Sequence, residues 1–151
     1  LSRRQRQMCI RDRVKNIEGD AFYNDRLLER VNIRNVTNIN DYMAYNCYNL
    51  KSLVFNEEMT FIGTYMCYQC FGLVNVKFLG RVKRIYNNAF FSCTSLRIVD
   101  FTNCIRVPTL QETNAFSSCS SDMEILVPAA LVDEWRQETN WTAFAKYIKG
   151  V

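Results

Sequence analysis

One set of apolar residues returns along the chain at an almost constant step, and that recurrence excludes most other ways of folding. Counting from Ile85 as position zero, Ala89 stands at plus four, Phe90 at plus five, Cys93 at plus eight, Leu96 at plus eleven, Val99 at plus fourteen and Phe101 at plus sixteen. The same offsets from Ile62 give Met66, Cys67, Cys70, Leu73, Val76 and Phe78. From Ile39 they give Met43, Ala44, Cys47, Leu50, Leu53 and Phe55, and from Ile17 they give Ala21, Phe22, Asp25, Leu28, Val31 and Ile33. Successive plus-five positions are 22, 23, 23 and finally 26 residues apart. The long last step arises in two loops, before Val107 and before Ala115, while the fifth unit keeps Phe116, Cys119, Ile125 and Val127 in register. Only Asp122 breaks it, standing where a Leu is expected. A unit of this size cannot bury its own apolar face, so a fixed period predicts stacked units sharing one core.

Within a unit two periodicities alternate. The residues at plus four, five, eight and eleven follow helical spacing and predict a turn or two of helix with one buried face. Those at plus fourteen and sixteen alternate as a half-buried strand does. The expected fold is an α+β repeat solenoid. After Val127 the repeat stops. Pro128 to Glu138 predicts a short helix with Leu131 and Trp135 on one face, and a second helix follows Thr139–Asn140 with Phe144, Tyr147 and Ile148 on one side. Both tryptophans lie in this segment, where they would cover the open edge of the last unit.

The unit resembles the BspA-like class of leucine-rich repeats, whose consensus runs roughly I-G-x-x-A-F-x-x-C-x-x-L-x-x-V-x-I. Ile85, Ala89, Phe90, Cys93, Leu96 and Val99 match it directly, and Ile62–Gly63 reproduces its start. Departures are Asp25 for Cys, Ala44 and Cys67 for Phe, and Asp122 for Leu. The resemblance covers Val14 to about Pro128. It implies a short right-handed leucine-rich-repeat stack of about five units of 22–26 residues over 14–128, with a helical cap of two short helices over 129–151. It also implies a non-catalytic interaction module of a cell-surface or secreted protein, of the kind that gut bacteria use to adhere to host protein or glycan. Alternatives are a receptor-binding or decorating segment of a phage structural protein, and an accessory domain of an enzyme whose catalytic part lies elsewhere.

The first thirteen residues, LSRRQRQMCIRDR, stand apart. They resemble a translated sequencing adapter of the kind left on metagenomic fragments, and are expected to be an unstructured leader that adds nothing to stability; the alternative is a basic arm for nucleic acid or membrane. Val14 to Ile17 has the spacing of Val82 to Ile85, so the chain is expected to open inside a repeat. Residues 1–13 hold five Arg and one Asp, which accounts for the whole net charge of +4. The remainder is neutral and offers no electrostatic footprint for nucleic acid. No run approaches the ~20 apolar residues of a membrane-spanning helix.

Chemistry-bearing residues are few. The chain has no His, the usual base for Ser and Cys nucleophiles. Four of the seven Cys form the plus-eight column. Cys67 and Cys70 mimic half a metal site but lack a second pair, so no metal and no cofactor is expected. Function should then lie on outward columns. Tyr23, Tyr45, Tyr68 and Phe91 recur at plus six, and Tyr42 and Tyr65 stand at plus three. These six aromatics form the candidate ligand surface, suited to a protein or a sugar because Tyr pairs an apolar face with a polar tip; the competing reading is a self-packing ladder that only stabilises the stack. The competing strand face at plus fifteen is mixed, and Lys77 beside Asp100 reads as a cross-strand pair.

Overall fold

A computed structural model describes residues 7–9 and 15–151. Its strands, in chain order, are β1 (Gln7–Cys9), β2 (Asn16–Ile17), β3 (Arg30–Asn32), β4 (Asn38–Ile39), β5 (Ser52–Phe55), β6 (Phe61–Ile62), β7 (Asn75–Phe78), β8 (Arg84–Ile85), β9 (Ile98–Asp100), β10 (Thr109–Leu110), β11 (Glu124–Val127) and β12 (Ile148–Gly150). The plus-fourteen segments, joined at one edge by the C-terminal β12, build one parallel sheet in the order β1-β3-β5-β7-β9-β11-β12. Its register is that of the repeat: Leu53 pairs with Val76, Val76 with Val99, and Val99 with Ile125. The position-zero segments form shorter parallel ladders, β2 with β4 and β6 with β8 and β10.

The core lies between these strands and is built of like on like. Val31, Leu53, Val76, Val99 and Ile125 are buried in one column, and Phe55, Phe78 and Phe101 in the next. The phenylalanines stack nearly parallel, with centroids 5.0 Å apart from Phe55 to Phe78 and 4.4 Å from Phe78 to Phe101. Phe90 meets Phe55 and Phe78 edge-on and stacks on Phe116 at 5.2 Å. Burying each such side chain stabilises by about 1.5–3 kcal/mol.

Between plus three and plus eleven the chain is not helical. Residues at plus three (Asp20, Tyr42, Tyr65, Asn88) and plus seven (Asn24, Asn46, Gln69, Ser92) have positive φ, between 54° and 64°. A left-handed residue at every fourth place stops a helix from propagating. Four-residue turns take its place, closed by bonds such as Tyr45 N–H to Tyr42 O, Cys47 N–H to Ala44 O and Leu50 N–H to Cys47 O. The amides left over bond to the next unit: Ala44 to Met66 O at 2.8 Å, Asn46 to Tyr68 O at 2.9 Å. The helical spacing of the apolar residues is real, but it serves a ladder of turns, so each unit is strand and turn rather than strand and helix.

The first thirteen residues are not wholly without structure. Gln7–Cys9 pairs in parallel with Arg30–Asn32, Met8 facing Val31. Met8 stands 23 residues before Val31 and Ile10 stands 23 before Ile33, so this stretch carries the plus-fourteen and plus-sixteen apolar pair. The dense arginines hide it. The remainder of 1–13 lies outside the described residues.

At the other end, a single turn of 3-10 helix (Ala129–Leu131) leads into α1 (Val132–Gln137), followed by a 3-10 segment, Trp141–Tyr147, and then β12. Only the first of the two helices is therefore α-helical, and Ile148 opens a strand beside β11 rather than closing a helix. Trp135 and Trp141 are fully buried, Trp141 edge-on to Phe101 at 5.7 Å and tilted on Phe116 at 5.9 Å. The Trp141 indole N–H donates to Pro108 O at 2.6 Å, and the Asn140 amide donates to Leu110 O and Gln111 O, beside β10.

Candidate functional site

The turn run decides which side chains reach solvent. Met43, Ala44 and Cys47 point into the core and are fully buried, which turns Tyr42 and Tyr45 outward; the next unit repeats this with Met66, Cys67 and Cys70 inside and Tyr65 and Tyr68 outside. The plus-six rings stack in one continuous pile. Centroids are 4.9 Å apart from Tyr23 to Tyr45, 4.8 Å from Tyr45 to Tyr68 and 5.2 Å from Tyr68 to Phe91, with planes within 9°. Tyr42 and Tyr65 form a second pile at 5.2 Å. Tilted contacts join the two, Tyr42 to Tyr45 at 5.9 Å and Tyr65 to Tyr68 at 5.3 Å. All six candidate rings therefore form one surface.

Two properties of that surface matter. The faces of the inner rings are covered by other rings, so the surface presents ring edges and a row of phenol hydroxyls. Tyr45, at its centre, has its pKa raised by burial and then by the neighbouring phenols Tyr68, Tyr23, Tyr65 and Tyr42. Second, Tyr42 and Tyr65 hold left-handed backbone, φ 60° and 54°, where the flanking units place Asp20 and Asn88. Asp and Asn tolerate that region because their short polar side chains bond locally; a bulky ring there costs roughly 1–2 kcal/mol.

The strand face is spent on itself. Lys77 Nζ lies 2.7 Å from Asp100 Oδ2, as their register predicts. Burial alone would raise the Asp100 pKa, but hydrogen bonds from Lys77 and from the Thr102 hydroxyl and amide outweigh it and hold the carboxyl below its ordinary value. Arg97 pairs with Asp122 and Lys149 with Glu124 along the same sheet, so the Asp at the Leu position faces a cation in solvent. A further aromatic column, which the offsets at plus three and plus six do not include, stands at plus nine: Arg26 caps the Tyr48 ring at 4.9 Å, and Tyr48 meets Phe71 at 4.9 Å.

The cysteine column is structural. Cys47, Cys70, Cys93 and Cys119 each donate the thiol to the plus-five carbonyl of the preceding unit, at 3.0, 3.0, 3.1 and 3.2 Å. Burial pushes the Cys47, Cys67 and Cys93 thiols well above the ordinary value of 9.0, and raises Cys104 to about 11 and Cys119 to about 12. Among the described residues no group of three or more His, Cys, Asp or Glu could hold a metal ion. Thiols held neutral in the fold stabilise it fully below pH 9, and that stabilisation is lost as pH climbs from there toward the folded values. Iodoacetamide at pH 8 should therefore leave these buried thiols unmodified while labelling the urea-unfolded chain, and the urea midpoint should fall above about pH 9. Rapid native labelling of Cys47 or Cys93 would contradict this.

The family model for the BspA type leucine rich repeat region matches residues 4–97, in six copies. The chain belongs to that family. BspA-type leucine-rich repeats generally serve as protein-interaction modules, are typically non-catalytic, and are often found on surface or secreted proteins. In this BspA-type chain the match takes in part of the arginine-rich first thirteen residues, in accord with the pairing of β1. No curated protein matches the chain. Among the described residues no helix is long and apolar enough to cross a membrane.

Proposed function

We propose that the chain is a non-catalytic protein-binding module of a bacterial surface or secreted protein, built as a right-handed stack of about five units, and that its partner docks on the two tyrosine piles. The observation that carries this is the left-handed backbone of Tyr42 and Tyr65. Strained residues persist where function requires them. Here Asn or Asp would satisfy the turn at lower cost, as both do in the flanking units. The stacked geometry favours a protein partner over a sugar: a pyranose needs an open ring face, whereas the inner faces are covered at 4.8–5.2 Å. Edges and hydroxyls of rigid tyrosines are what protein interfaces use, at low entropic cost.

An array of host matrix proteins and glycans, probed with the wild type and with a Tyr45→Ala/Tyr68→Ala variant, tests the proposal. Retention should fall on matrix proteins at least tenfold, about 1.4 kcal/mol, as for interface tyrosines of the hot-spot class. Lys77→Ala should bind as the wild type does. If the double variant, still folded by circular dichroism, binds a protein unchanged while Lys77→Ala loses it, the partner uses the strand face.

A further inference from the structure

The position-zero ladder is interrupted between β4 and β6, and a cleft lies at the break. On either side the rungs are made: the amides of Thr37 and Asn38 donate to Lys15 O, and Asn40 to Ile17 O; Lys83 and Arg84 donate to Thr60 O, and Tyr86 to Ile62 O. The equivalent amides of Thr60, Phe61 and Gly63 do not reach the carbonyls of Thr37 and Ile39, so β4 and β6 belong to separate sheets. Instead the Thr64 amide bonds to Asp41 Oδ1 at 2.6 Å. Gly63 permits this, since a Cβ there would stand 2.7 Å from Asp41 Oδ1 and 3.2 Å from the Asp41 main chain. The resulting cleft has a volume of about 390 Å³.

Its walls are unlike those of the other rungs. Phe61 is 49% exposed at a position where the other units hold Asn16, Asn38, Arg84 and Thr109. It lies 6.3 Å from Tyr86 with planes tilted by 50°, so neither ring covers the face of the other. The amides of Asn38 and Asn40 donate to Asn16 and Glu18, which leaves their own carbonyl oxygens as acceptors. Asp41 adds a carboxylate, and the lining contains neither Lys nor Arg.

We propose that this cleft binds a neutral pyranose, independently of the tyrosine surface. A sugar ring offers a C–H face for an exposed aromatic ring such as Phe61. Its neighbouring hydroxyls each donate and accept, which suits a site holding amide acceptors, a carboxylate and unpaired main-chain N–H and C=O groups side by side. The carboxylate disfavours an anionic ligand, and the nearby Arg84 guanidinium is turned over the Tyr86 ring, 5.9 Å from its centroid. The two-residue rungs are too short to template an added peptide strand.

Saturation-transfer NMR on the full chain, with the methyl glycosides of glucose, galactose, mannose and N-acetylglucosamine, tests the site. At least one glycoside should receive saturation at its ring protons. Phe61→Asn, which extends the existing Asn16–Asn38 column and so preserves the fold, should weaken that binding at least tenfold. The Tyr45→Ala/Tyr68→Ala variant should retain it. No transfer to any of these glycosides, or transfer undiminished in Phe61→Asn, would overturn the proposal.

Discussion

Replacing Phe78 by Ala should cost about 3–5 kcal/mol of unfolding free energy and lower the melting temperature by roughly 6–20 °C. Phe78 is covered on one face by Phe55, on the other by Phe101 and at its edge by Phe90. Its removal opens a void spanning three units. The void cannot collapse cheaply, because the hydrogen-bonded ladder of β5, β7 and β9 fixes the spacing of the strands around it. Urea unfolding followed by circular dichroism measures the loss. Phe71→Ala provides the contrast: that ring is 37% exposed, and its loss should cost under about 1 kcal/mol. Equal costs for the two would show that the like-on-like phenylalanine column is not the centre of the core.

Trp141→Ala should be comparably damaging, about 3–5 kcal/mol, for two separable reasons. The indole covers Phe101 and Phe116 of the last units, and its N–H is the partner that the structure gives to the Pro108 carbonyl. Leaving that carbonyl unpaired costs about 1–3 kcal/mol. Trp141→Phe separates the two contributions, keeping most of the apolar cover and losing only the hydrogen bond. The Ala variant should also self-associate in light scattering, since it uncovers an apolar stacking face. A monomeric Trp141→Ala with wild-type stability would mean that the C-terminal segment is an appendage rather than a cap.

The period was legible because each apolar offset reports one buried column, broken only at the ends, where Ala21, Asp25 and Asp122 are exposed and Cys119 is half-buried. Local geometry was less legible. Apolar residues at plus four, five, eight and eleven fit a helical face as well as they fit a run of turns. The signal that separates the two is polar: Asn24, Asn46, Gln69 and Ser92 at plus seven, side chains that settle in left-handed backbone or bond locally. Met8 and Ile10 carried the repeat into the first residues, but arginines surround them. Ile148 could join a helix by spacing; only the free edge of β11 makes it a strand. The tyrosine columns were legible as offsets, whereas the strain at Tyr42 and Tyr65 depends on φ and could not be read from residue types. The break at β4 and β6 accompanies one close approach, at Gly63, which a glycine only permits.

The claim that the tyrosine surface is kept for a partner, rather than for the fold, is tested most directly by equilibrium urea unfolding of Tyr42→Asn/Tyr65→Asn. The substitutions remove one stacked pair and its tilted contacts, at about 0.5–1.5 kcal/mol per pair, and relieve left-handed strain of about 1–2 kcal/mol at each site. These effects oppose each other, so the variant should unfold within about 1 kcal/mol of the wild type. A loss of 3 kcal/mol or more, as for a buried Phe, would contradict the account and make the tyrosines part of what holds the stack together.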